Sequence, residues 1–75
     1  MLATDKQIAY LQSLADRVEC AKRDGLFNIP TPYINWSEER KLGVTTTDAS
    51  IRIKAYKELI AGINTGRMIM GYKQV

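Results

Sequence analysis

Apolar residues recur at helical spacing in two stretches of the chain. In the first, Ile8, Leu11, Leu14, Ala15 and Val18 fall on one side of a helix, and Gln12, Asp16, Glu19 and Arg23 on the polar side. Thr4-Asp5-Lys6-Gln7 precedes them in the form of a capping box: the Thr4 hydroxyl can accept from the third helical N–H while Gln7 reaches back to the cap. Gly25 is a ready residue for the turn that follows a helix. This pattern predicts a helix over about 5–24. In the second stretch, Ala49, Ile53, Tyr56, Leu59, Ile60 and Ile63 form a stripe behind another capping signal, Thr45 with Asp48 in the first turn. Asn64-Thr65-Gly66 reads as its end, which predicts a helix over about 46–64.

The segment between the two stretches follows different rules. Pro30 and Pro32 forbid a helix and bias the residues before them to extended geometry. Phe27, Ile29, Tyr33, Ile34 and Trp36 suggest that this piece lies on the core. Ser37 can cap one short helical turn, about 38–42, closed by Gly43. The tail, Arg67-Met68-Ile69-Met70-Gly71-Tyr72, looks too short and too glycine-flanked for a helix. It is expected to be a short extended or β segment able to pair with 26–36. The predicted fold class is therefore mainly α, one domain over residues 1–75, with two amphipathic helices closed by an extended middle and a tail.

Composition narrows the function classes. The chain has 75 residues, no histidine and one cysteine, Cys20. An internal disulfide is impossible, and a zinc site lacks ligands. General acid–base work at neutral pH most often uses histidine, and a nucleophilic thiol needs a base beside it. No glycine loop fit to cradle phosphate is present. A non-enzymatic protein without metal or cofactor is expected. No apolar run approaches the roughly 20 residues of a membrane span. Met1-Leu2-Ala3-Thr4-Asp5 lacks a basic-then-apolar opening, so no secretory signal is expected there, and the lone thiol suits a cytoplasmic protein. A domain this small has a thin core, which keeps a homodimer open, its apolar stripes packed across a two-fold axis.

Charge adds direction. Residues 1–24 and 25–47 are each neutral, whereas 48–75 hold Arg52, Lys54, Lys57, Arg67 and Lys73 against Asp48 and Glu58, the whole +3 of the chain. Ser50, Lys54, Lys57, Ala61 and Asn64 share one stripe of the second helix, to the side of the apolar one. Two lysines among small and polar residues let a phosphate backbone approach. Ser50, Lys54, Lys57, Asn64, Arg67 and Lys73 are thus candidate contacts to DNA or RNA, with Tyr72 as a stacking ring. The plainer expectation is solvated lysines, Lys54 pairing with Glu58 one turn on. A second candidate set is a protein interface. Tyr33, Trp36, Met68, Met70 and Tyr72 are residue types favoured at binding surfaces, although in so small a domain Trp36 and the methionines are more often simply the core.

Thr4-x-Lys6-Gln7-x-x-Tyr10-Leu11-x-x-Leu14, with Val44-Thr45-x-x-Asp48-Ala49-Ser50-x-x-Ile53 later, resembles a small two-helix module of phage and bacterial proteins, often attached to replication or recombination proteins. The likeness covers about 20 positions at the two helix starts. The insert between the helices is longer here, and the tail runs past the pattern. The resemblance implies a phage-type accessory protein associated with nucleic-acid processing. The competing expectation is an inhibitor or adaptor acting on a host or phage protein, such as a host-defence factor.

Overall fold

A computed structural model describes residues 1–75 and contains three helices: α1 (Asp5–Arg23), α2 (Trp36–Leu42) and α3 (Thr46–Ile69). Each begins on a side-chain cap. At α1 both halves of the capping box form: Thr4 Oγ1 accepts from the Gln7 N–H at 3.1 Å, and Gln7 Oε1 accepts from the Thr4 N–H at 3.0 Å. Thr45 caps α3 through the Asp48 N–H at 3.1 Å. At α2 the cap is Asn35, which accepts from the Glu38 N–H, and not Ser37. The helix therefore opens at Trp36, whose N–H is bound by Gln12 Oε1 of α1 at 3.0 Å. Gly43, at φ 108°, closes α2 in a conformation that a side chain would strain.

Cross-links at both ends show that α1 and α3 run parallel. At one end Leu2 and Thr45 form an antiparallel bridge, the Ala3 N–H donates to the Val44 carbonyl, and the Thr46 N–H donates to the Met1 carbonyl. At the other end Asp24, which caps the C-terminus of α1, pairs with Arg67 near the end of α3. The chain must therefore travel back between the helices: after a turn at Asp24–Gly25 and a bend at 26–27, residues 28–35 run along α1 without helix or strand. Lys22 donates to the Thr31 carbonyl, Gln12 donates to the Tyr33 hydroxyl at 2.7 Å, and that hydroxyl donates to Asp16 at 3.1 Å. The result is a rod of 42 × 17 × 17 Å.

The two apolar stripes face each other within one chain. Ile8, Leu11, Leu14, Ala15 and Val18 of α1 meet Ala49, Tyr56 and Ile60 of α3, and Leu11 and Leu14 are fully buried. Trp36 closes one side of this core at 3% exposure. Its indole N–H donates to the Tyr56 hydroxyl at 3.2 Å, and the rings meet edge to face, 6.1 Å apart. With the stripes consumed internally, a two-fold dimer built from them has no surface left. No helix is long and apolar enough to cross a membrane.

The end of α3 differs from the sequence expectation. The helix does not stop at 64 but continues to Ile69, and the tail forms no strand with 26–36. Gly66 lies inside the helix because Phe27 packs against it: a Cβ there would sit 2.7 Å from the Phe27 ring. The glycine makes room for a neighbour and does not terminate the helix. Beyond it the chain turns at Gly71 (φ 83°) and folds back, the Tyr72 N–H donating to the Arg67 carbonyl and the Val75 N–H to Asn64 Oδ1. Gly62, by contrast, has nothing within 4 Å of its Cβ position. Gly62→Ala should stabilise the fold by roughly 0.5–1 kcal/mol through helix propensity. Gly66→Ala should destabilise it by about 1 kcal/mol, overpacking outweighing the same gain. Urea midpoints of the two variants should shift in opposite directions.

Candidate nucleic-acid interface

The second-helix lysines sit beside α1 and form one face with it. The Gln7 side chain reaches Ser50 Oγ at 3.5 Å near the start of both helices. Near their far ends Arg17 and Asn64 both donate to the Val75 carbonyl, at 3.0 and 3.3 Å. Between these crossings helical spacing carries Tyr10 of α1, with Arg17, and Lys54 and Lys57 of α3, with Ser50 and Asn64, to the same side; Tyr10, Lys54 and Lys57 are all exposed. Ser50, Ile53, Lys54, Lys57, Glu58 and Ala61 line a shallow depression there, and the small side chains of Ser50 and Ala61 leave it open.

Charge is polarised on α1 as well, although the helix sums to almost zero. Lys6, Tyr10 and Arg17 follow one line at spacings of four and seven residues, so they share a side at about 100° per residue. Asp5, Asp16 and Glu19 lie on the other flank and are occupied there: Asp5 with Arg40, Asp16 with Tyr33, Glu19 with Lys22. The α1/α3 face thus gathers Lys6, Arg17, Lys54 and Lys57, bordered by Glu58 and, at its far end, by Asp24, which Arg67 already neutralises. Lys54 and Glu58 form no ion pair, contrary to the plain expectation, and Lys57 has no carboxylate partner either.

Two other candidates are engaged in structure. Arg67 is buried, 6% exposed; it pairs with Asp24 at 2.6 Å, donates to the Lys73 carbonyl and lies 6.0 Å over the Tyr72 ring. Asn64 makes two hydrogen bonds to Val75. Neither side chain is free for a phosphate, and both act as clasps that hold the tail. The Lys73 side chain is exposed, at the end of the rod away from Ser50. Ser50, Lys54 and Lys57 therefore remain together, Lys73 stands apart, and Asn64 and Arg67 leave the set. Lys6 and Tyr10 join it, as does Arg17, which spends one guanidinium N–H on the Val75 carbonyl but stays exposed. Their spacing was visible in the sequence; that their side of α1 adjoins Lys54 and Lys57 was not.

The residues of the protein-interface set are dispersed. Trp36 belongs to the core. Tyr33 lies on the α1 flank, whereas Met68, Met70 and Tyr72 are exposed at the far end of α3. The Tyr33 phenol is held above its ordinary pKa of 10, first by desolvation against α1 and then by the Asp16 carboxylate that its proton bonds. Its neutral form is the one the fold favours, so its contribution is complete below the ordinary phenol range and is lost as pH rises through it. A difference titration between the parent and Tyr33→Phe should show this late phenol, and Asp16→Asn should bring it down. Cys20 is free and exposed, and no group of three acidic or thiol ligands could hold a metal ion. No protein-family model, no curated protein and no solved structure matches the chain.

Proposed function

We propose that this chain is a small accessory protein of the phage type that binds nucleic acid, without catalysis, through the α1/α3 face. The observation that carries the proposal is the juxtaposition of Lys54 and Lys57, exposed and free of ion pairs, with Lys6 and Arg17 on a side that α1 keeps clear of acids. A face of lysines and one arginine, with no cleft for a base edge, suits phosphate contacts and therefore little sequence preference. Tyr10, 42% exposed among these cations, offers a ring on which an unpaired base can stack.

Neutralising about four phosphates gives a salt slope near −3.6 on a duplex, so affinity should fall roughly 10²-fold between 50 and 200 mM salt. Lys54→Glu with Lys57→Glu should weaken binding strongly and halve that slope, to about −1.8. Arg17→Glu should weaken it too, whereas Lys73→Ala should change it little. Fluorescence anisotropy on a panel of single- and double-stranded DNA and RNA checks this. Binding unchanged by the double reversal would sink the proposal.

A second reading, an inhibitor or adaptor acting on a protein, is favoured by one observation: Met68, Ile69 and Met70 are all exposed on the last turn of α3. The burial of Trp36 removes the aromatic anchor that this reading had relied on.

A further inference from the structure

Two apolar patches stand at opposite ends of the rod, and their shapes and charges differ in sense. At the end where α1 and α3 begin, α2 and α3 border a cleft of about 420 Å³ lined by Ile34, Trp36, Val44 and Ile51, with Glu39 and Asp48 on its rim. Arg52, the other rim residue, is drawn over the Trp36 ring at 5.8 Å. Neither Glu39 nor Asp48 pairs with a cation of the chain. Ile51 at the cleft is 61% exposed. The opposite end is convex: the last turn of α3 presents Met68, Ile69 and Met70, with Ile69 80% exposed. Its neighbour Lys73 has no carboxylate partner, because the nearby Asp24 is taken by Arg67.

We propose that these ends bind each other: the Met68-Ile69-Met70 turn of one copy seats in the Trp36 cleft of the next, and Lys73 approaches Glu39 and Asp48. The acid-rimmed hollow and the cation-flanked knob are complementary, whereas hollow on hollow or knob on knob would oppose like charges. The patches lie at opposite ends of a 42 Å body, so copies joined end to end use one contact each and continue as an open chain, whereas two copies side by side and antiparallel use both contacts and close as a two-fold pair. The contact is also small, at the low end of interface sizes, so assembly is weak and concentration-dependent. This proposal does not depend on nucleic-acid binding.

Sedimentation velocity of the full chain over a hundredfold range of concentration provides the test. The parent should show a weight-average coefficient that climbs with concentration. Ile51→Asp and Ile69→Asp, both at exposed helical positions, should keep the parent circular dichroism and sediment as monomers. An equimolar mixture of the two should give a species of twice the 8.5 kDa monomer mass and nothing larger, because each variant retains one sound end. Several results would overturn the proposal: a parent that stays monomeric throughout, a mixture that stays monomeric, or an Ile51→Asp variant that still dimerises alone. The last of these would point to a knob-on-knob contact.

Discussion

Trp36→Ala should leave the chain largely unfolded at 25 °C. Removing a buried tryptophan typically costs about 3–5 kcal/mol, and a domain of this size holds roughly 3–5 kcal/mol in all. Three losses coincide at this site. The indole fills the side of the α1–α3 core at 3% exposure, its N–H satisfies the Tyr56 hydroxyl, and its face carries the Arg52 guanidinium. Tyr56 is itself buried, so its hydroxyl would lose a partner in a place poor in water. Trp36→Phe keeps most of the ring and loses the N–H, and should cost about 1–2 kcal/mol. Far-UV circular dichroism with urea titration separates the two. A cooperative transition in the alanine variant with a loss under about 1 kcal/mol would mean that the tryptophan is not the keystone of this core.

The second large effect is expected at Arg67. Its guanidinium lies under the tail with a 7% exposed side chain, while its partner Asp24 remains 46% exposed. Removing one member of a fully buried pair costs about 3–5 kcal/mol. Here Asp24 can turn to solvent once released, so Arg67→Ala should cost less, about 2–3 kcal/mol. Asp24→Asn leaves the cation buried with the Lys73 carbonyl as its remaining acceptor and should cost about 1–2 kcal/mol. The distinguishing sign is local: in Arg67→Ala the amides of 71–75 should exchange at the rate of an open chain, because the tail loses its main tether. Protection of those amides that survives the substitution would assign the tether to the remaining bonds of Asn64 and Arg17 to Val75 and of the Tyr72 N–H to the backbone carbonyl of residue 67.

Much of the fold was legible because capping is a local code. Thr4 with Gln7, and Thr45 with Asp48, marked both helix starts from four residues each, and the apolar stripes marked which sides would be buried. What could not be read depended on neighbours distant in sequence. Asn64-Thr65-Gly66 looks like a stop until Phe27 is placed against it, since a glycine that ends a helix and one that admits a ring are the same residue. The parallel course of α1 and α3 was equally hidden, because the stripes fit a parallel or an antiparallel pair.

The candidate face followed the same division. Lys54 and Lys57 were visible as a basic stripe, and they remain exposed and unpaired. Arg67 carries the same charge in the same third of the chain, yet it is buried, a fate decided by Asp24 43 residues earlier. Net charge by segment hid α1 altogether, because its acids and cations cancel in the sum and separate only around the helix axis. Tertiary placement decides whether a cation contributes to the field or to the fold.

The parallel pairing also governs the order of events when the chain is made. An antiparallel hairpin of helices could close as soon as its second arm emerged, contact by contact from the turn. Here the first residues must find Val44 and Thr45, and the end of α1 must wait for Arg67. The contacts between α1 and α3 span some 40 positions, as from Ala3 to Val44 and from Asp24 to Arg67, which raises the contact order and slows folding relative to a local bundle of equal length. On the ribosome, α1 therefore emerges first, gains Tyr33 and Trp36 next, and completes its pairing only when the end of α3 has been synthesised.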